Sequence, residues 1–567
     1  MSRCPRICSR LLPVLVLVLA GAGTAWSATP EDCQGMRKHG RRAEARACFQ
    51  SLTLTRDPYL RAEGLWGLAM FQEANDQFRA ATAQSSRNAT YRIRWGRLMQ
   101  ERFNSADAED LFNEALQIDP KSAPAHLGLA LVSAGGFDSK AVQWVNKALE
   151  LDPRLVEAHE LLASLLLEDS EPDNAAARAD QALKLSGEAL DALAIHAAVE
   201  LLADRSPDAW LAKISAINPT YGEGYALVAH HLVLNRRYED GITYYRKAIE
   251  LDPQLWPARS ELGINLMRLG QEDEPRLHLE MCYRNGFRDA ATVNTLRLLD
   301  SYKNFLTYKD DNTVLRLNSK EAALLLPYMR AELKRAIATY EKKYQMKLPG
   351  PVQLEVYPDH EDFAVRTMGM PGLGALGVTF GDVVAMDSPS ARAPGSFHWA
   401  STLWHELSHV FILQATNHRV PRWFTEGLAV HEETEASPEW GDRVTPDVVA
   451  ACGTRSSCPS RNSTGALCAP NIPPRSSSPI SRRAASATTS RAAGASRPCW
   501  PWCVPLPSAS PLPRSSCSTS ACSRRSLTAN SWPGSIGTWA LPWPISSTGP
   551  SASKRWPPWP KRASRTK

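Results

Sequence analysis

Residues 148–159 read "ALELDPRLVEAH". Apolar residues recur at helical spacing on both sides of Asp152-Pro153, and that dipeptide interrupts them. The same phrase returns as "ALQIDPKSAPAH" at 115–126, "ISAINPTYGEGY" at 214–225 and "AIELDPQLWPAR" at 248–259. Its prolines, Pro120, Pro153, Pro219 and Pro253, are 33, 66 and 34 residues apart. The 66 is two periods, and its midpoint is "ALKLSGEALDAL" at 182–193, with Gly187 in the proline's place. Proline suits the position because it ends one helix and, with its fixed φ, can open the next. Ala125 and Ala130, matched one period later by Ala158 and Ala163, let paired helices approach closely. A period near 34 of helix, turn and helix predicts a stacked array in which each unit buries its apolar face on its neighbours.

These phrases resemble the tetratricopeptide repeat. Weaker units near Asp57-Pro58 and Asn88 carry the array back, so that it spans roughly residues 33–300. The resemblance implies a solenoid whose concave face takes a protein or peptide partner, with a plain spacer as the alternative.

From about residue 305 the period stops, and residues 305–450 read as a separate domain. "SKEAALLLPYMRAELKRAIATYEKKYQ" predicts an amphipathic helix capped by Ser319, and "PVQLEVYP" a short strand. "HEDFAVRTMG" predicts a helix, "MGMPGLGALG" a mobile loop, and "GVTFGDVVAMDSP" a strand pair or one bent strand. The fold class is therefore mainly α: a helical solenoid followed by a small α+β domain.

Within that domain "LWHELSHVFILQ" at 403–414 has Leu403, Leu407, Val410 and Phe411 at helical spacing. His405 and His409 fall four apart, one above the other on one side of the helix, a two-toothed clamp for a metal. Zinc acting on a substrate wants three protein ligands and an open fourth position. Glu426, seventeen residues past His409 in a helix opened by Pro421, can supply the third if the two helices pack together. Glu406, beside the first histidine, is placed to take a proton from the attacking water. A structural histidine pair is the competing explanation. His418 is a weaker ligand candidate on an exposed loop, and Glu432, Glu433 and Glu435 read as a solvated helix end, with Glu432 a candidate partner for a ligand histidine.

His405-Glu406-Leu407-Ser408-His409 followed by Trp423-Phe424-Thr425-Glu426-Gly427-Leu428-Ala429 is similar to the gluzincin metallopeptidases. It is most similar to the peptidase-MA-like domain found beside tetratricopeptide repeats in bacterial exported proteins. The resemblance covers residues 310–445 and implies zinc on His405, His409 and Glu426, with Glu406 as general base toward a protein or peptide substrate. It implies that the strand before the active helix, Val383–Met386, pairs with the substrate backbone by strand addition. It also implies a Tyr or His oxyanion donor from beyond the third ligand. The last histidine is His431 and the last tyrosine Tyr357, so the chain as written is expected to turn over little. The alternative function is a repeat scaffold whose metallopeptidase domain is inert.

At 567 residues and 43% apolar composition the chain has room for several globular domains. Residues 1–450 carry 49 Lys and Arg against 59 Asp and Glu, because 16 of the 65 basic residues and none of the acidic ones lie beyond Ala450. That balance gives no support to a nucleic-acid surface. Arg3, Arg6 and Arg10 precede an apolar run, Leu11 to Ala20, in the layout of a secretory signal over residues 1–28, with cleavage after Ser27. Ala22 stands where a lipidated cysteine would be needed, so export to the periplasm or beyond without a stable membrane anchor is expected. Cys33 and Cys48 flank a "KHG" turn and form either a disulfide or two buried thiols. Residues 451–567 contain no Asp, Glu, Gln, His, Tyr, Phe or Met but seven Trp and seven Cys, which reads as GC-rich DNA translated out of frame rather than as native sequence.

Overall fold

The computed structural model describes residues 28–136 and 138–440. The expected signal at 1–28 with its cleavage point, the tail at 451–567 and the last ten residues of the 305–450 domain lie essentially outside them. Among the described residues no helix is long and apolar enough to cross a membrane.

The first part is a run of antiparallel helix pairs. These are Pro30–Lys38 (α1) with Arg42–Thr53 (α2), Pro58–Gly67 (α3) with Phe71–Gln84 (α4), and Ala89–Glu101 (α5) with Ser105–Ile118 (α6). Ala123–Gly135 (α7) pairs with Lys140–Leu151 (α8), Val156–Glu168 (α9) with Pro172–Leu185 (α10), and Leu190–Leu202 (α11) with Asp208–Ile217 (α12). Gly222–Leu234 (α13) with Tyr238–Leu251 (α14) and Trp256–Arg268 (α15) with Asp273–Arg284 (α16) complete the pairs, and Ala290–Ser301 (α17) closes the array. Ala125, Ala130, Ala158 and Ala163 are fully buried where helices meet. Gly128 shows how tight that contact is, since an added Cβ would stand 2.3 Å from the Phe112 ring.

The repeated prolines do not open helices. Each sits in a short turn, and the next helix starts three residues later, at Ala123, Val156, Gly222 and Trp256. The residue before each proline organises that turn instead. Asp119, Asp152, Asn218 and Asp252 each accept, through Oδ1, the main-chain N–H two residues on, at 2.9–3.1 Å.

The array curls until its start meets its later units. Arg42 pairs with Asp252 at 2.8 Å and donates to the Thr220 carbonyl at 3.2 Å. Gly40, at φ +70, lies so close to Asn218 that a Cβ would fall 2.5 Å from its Oδ1. Further along, Arg102 donates to the Gly286 carbonyl at 3.1 Å and Phe103 meets Phe287 edge to face at 5.0 Å. The first hairpin carries a Cys33–Cys48 disulfide.

A five-stranded mixed sheet follows: Phe305–Lys309 (β1), Thr313–Asn318 (β2), Val352–Tyr357 (β3), Gly377–Phe380 (β4) and Val383–Asp387 (β5), in the order β1-β2-β3-β5-β4. β2, β3 and β5 run parallel, and the outer pairs are antiparallel. The parallel steps are bridged by Ala322–Tyr344 (α18) and His360–Met368 (α19), and Trp399–Ala415 (α20) and Arg422–Ala436 (α21) come last. "GVTFGDVVAMDSP" is thus a strand pair. The β1–β2 hairpin was not foreseen: β1 is short and largely exposed, and β2 buries Thr313 and Arg316 along with Leu315 and Leu317. Ser319 does not cap α18, whose N-cap is Glu321; the Ser319 N–H instead donates to the Asn304 carbonyl and ends the strand. Val383–Met386 is paired on both sides, with β3 and with β4, so the outer strand at that end of the sheet is β4 and not β5.

The two faces of the sheet belong to different cores. Val383, Ala385, Tyr357 and Phe380 share one with Tyr238, Tyr245, Leu262 and Leu279 of the array. Val384, Met386, Leu354 and Val356 share the other with Met329, Leu333 and Tyr340 of α18 and Leu403, Leu407, Val410 and Phe411 of α20.

Candidate metal centre

α20 is apolar nearly all round because it packs against the sheet, α18 and α21, and its polar residues are therefore conspicuous. Tyr340 of α18 donates to the Trp404 carbonyl at 3.0 Å, and the Trp404 indole donates to Glu332 at 2.7 Å, which fixes the rotation of α20 about its axis. That rotation turns His405, Glu406 and His409 away from α18. α21 begins at Pro421 and packs along α20, bringing Glu426 opposite the two imidazoles.

His405, His409 and Glu426 are all buried, and their ligand atoms lie within 4.8 Å of one another. Glu426 Oε2 stands 3.4 Å from His405 Nε2 and 3.6 Å from His409 Nε2. A tetrahedral zinc with bonds of about 2.0–2.1 Å has ligand–ligand edges of about 3.3 Å, so these separations fit such an ion. The donor set, two imidazole nitrogens and a carboxylate oxygen, fits it as well.

The surrounding groups hold these donors. Glu433 Oε1 accepts from His405 Nδ1 at 2.7 Å, and Ser401 donates to the same carboxylate through its other oxygen. Such a partner fixes ring orientation and leaves Nε2 turned to the site. This corrects the expectation for the end of α21: Glu432 and Glu433 are both buried, and the histidine partner is Glu433. Glu432 binds Tyr344 at 2.8 Å and Lys343 at 2.6 Å instead. His418 is half-buried in the loop between α20 and α21 and does not join the ligand cluster. His409 Nδ1 is buried without a hydrogen-bond partner.

Glu406 is buried beside the cluster. Thr379 Oγ1 of β4 lies 2.8 Å from its Oε2 and 2.8 Å from its main-chain carbonyl, tying the strand to the helix at this residue. Gly377 makes room for it, since a Cβ there would fall 2.6 Å from Glu406 Cγ.

The protonation pattern follows from burial and neighbours. Burial alone would lower His405, but hydrogen bonds to Glu426 and Glu433 overcome it and push its pKa up to about 10. Burial and then the positive charge of Arg236 hold His409 down at about 3. Burial would raise Glu426, and the facing imidazoles of His405 and His409, then the charge of Arg236, hold it well below the usual carboxylate range. Burial raises Glu406 above that range. Metal binding at such a site would be coupled to proton release from His405, so that uptake should weaken as pH falls.

One participant was missed. Arg236, in the turn between α13 and α14, donates to Glu426 Oε1 at 3.0 Å and to Thr425 Oγ1 at 3.1 Å. Nothing local in the sequence signals a contact across 190 residues.

No family model matches the chain, and no curated protein matches it. Solved structures resemble part of it. YrrB, a TPR protein described as having an unusual peptide-binding site, is 19% identical over 32% of this chain and 95% of its own, with a TM-score of 0.22. A thermophilic TPR protein of Thermus thermophilus is 15% identical over 37% of this chain and 98% of its own, with a TM-score of 0.27. The Pseudomonas aeruginosa protein pilF is 24% identical over 35% of this chain and 91% of its own, with a TM-score of 0.25.

Proposed function

We propose that this chain is an exported zinc-dependent peptidase whose tetratricopeptide-type array engages a protein partner. The observation that carries the reading is the buried convergence of His405, His409 and Glu426 within 4.8 Å, with Glu433 holding His405 from behind. His405, His409 and Glu426 would hold a zinc, which when bound would supply a Lewis acid toward a peptide carbonyl. Glu406, steadied by Thr379, takes the proton of the attacking water, and burial raises its pKa toward the range a general base needs. The outer side of β4, beside Glu406, offers main-chain groups to an extended peptide. The Cys33–Cys48 disulfide supports an oxidising compartment.

A second reading is an interaction scaffold that holds the metal without turnover. It is favoured by the share of the array, which supplies seventeen of the helices among the described residues.

The test is metal content together with hydrolysis of a denatured protein. The wild-type chain is expected to hold one zinc and to show only slow hydrolysis, His405→Ala to lose the zinc, and Glu406→Gln to keep it while that slow hydrolysis stops. Zinc without hydrolysis in the wild type selects the scaffold, and loss of zinc from Glu406→Gln refutes the role given to that residue.

A further inference from the structure

We infer that Arg236, a residue of the helical array, is a positioning residue of the metal centre that keeps one oxygen of Glu426 turned to the two imidazoles; this rests on the metal-centre reading above. Arg236 and the two imidazoles use different oxygens of Glu426. Arg236 Nη2 takes Glu426 Oε1 at 3.0 Å, whereas the histidine nitrogens face Oε2 at 3.4 and 3.6 Å. The arginine therefore does not compete with a metal for the same lone pairs. It occupies the oxygen that would otherwise exchange with Oε2 when the carboxylate rotates.

The guanidinium is itself fixed. Its second nitrogen, Nη1, donates to Thr425 Oγ1 at 3.1 Å, so two adjacent residues of α21 are held by one planar fork. Arg422 Nε lies 3.8 Å from the same Oε1 and adds positive charge on that side. The turn that presents Arg236, with φ at +62, is anchored in turn. Arg237 donates to Asp240 at 2.7 Å and to Asp204 at 3.3 Å. Arg419, in the loop that joins the two metal-bearing helices, donates to the same Asp204 at 2.6 Å. Two turns of the array thus hold both the third ligand and the loop that leads to it.

A strut that merely joined array and sheet could be removed without changing the metal. A positioning residue could not, and partners behind a metal ligand typically contribute 10- to 100-fold in affinity. The test uses the full chain with Arg236→Ala and Arg236→Lys, titrated with zinc against a chromophoric chelator and with cobalt(II) as a spectroscopic probe. Arg236→Ala is expected to keep a single site, bind zinc about 10- to 100-fold more weakly and shift the cobalt absorption bands, with Arg236→Lys in between. Circular dichroism checks the fold. Wild-type affinity and spectrum in a folded Arg236→Ala overturn the inference and leave the metal centre standing. A wild-type chain that takes up no more metal than His405→Ala overturns both. If Arg236→Ala does not fold, Arg236→Lys decides, because it keeps the charge and loses the fork; an unchanged affinity and spectrum there overturns the inference.

Discussion

Gly377 is needed for what it lacks. Its missing side chain lets β4 approach Glu406 so closely that an added methyl would stand 2.6 Å from Glu406 Cγ and 2.9 Å from Thr402 Cγ2. Gly377→Ala is expected to push Glu406 off its position and cut peptide hydrolysis by about 10²-fold, the low end of what a displaced general base costs, while zinc stays bound. Parallel assays of metal content and rate check this. Glu355 sits between Arg366, Arg316 and the Tyr357 hydroxyl, with Arg366 Nε at 2.7 Å. Burial alone would raise its pKa, but the two arginines overcome that and hold it below the ordinary range. A carboxylate depressed in the fold stabilises above its unfolded value and stops doing so as pH falls through its folded value. The contribution is therefore whole above about pH 4.3 and fades below it. Glu355→Gln strands buried Arg366 and is expected to cost about 3–5 kcal/mol at neutral pH, with a shallower acid-induced loss than wild type in urea titrations at several pH values.

At the scale of elements, the first hairpin offers the clearest measurement. The Cys33–Cys48 disulfide closes a 15-residue separation between α1 and α2, and a loop of that length is worth about 3 kcal/mol in the unfolded chain. Reduction, or Cys48→Ser, is expected to loosen α1 and α2 first and with them the turn around Asn218 that Gly40 touches. Hydrogen exchange with and without reductant follows both segments. The same scale shows what could be read in advance. The repeats and the HELSH helix were legible because their signals are local, a spacing of about 34 in one case and of four in the other. Glu426 was legible because Pro421 marks where its helix begins. β1 and β2 were not: β1 is short and largely exposed, and β2 buries its polar residues along with its apolar ones. The partners of the ligands, Glu433 and Arg236, were not legible either. Glu433 looked like one more acid at a helix end, and Arg236 acts across 190 residues on geometry that only the packed array creates.

Taken whole, the described chain has no clean division between array and sheet, because Tyr238 and Leu262 share a core with Phe380 and Val383. Phe380→Ala empties that shared core and is expected to cost about 3–5 kcal/mol. Its effect should appear together in the helical signal of α14 and α15 and in the sheet, as one earlier transition rather than two; separate midpoints in thermal unfolding would sink the idea. The contact between the first hairpin and units 178 or more residues ahead carries a different consequence. In an open stack the number of units is a free variable, and gain or loss of one lengthens or shortens the rod without offending its neighbours. A stack that comes round to touch itself must satisfy an integer condition. Excising any one hairpin between Arg42 and Asp252 would bring the start of the chain to rest one unit out of step, with Gly40 facing something other than Asn218. The number of units between Arg42 and Asp252 is thus constrained by the contact they must complete, as the number of staves is by the circumference of a cask.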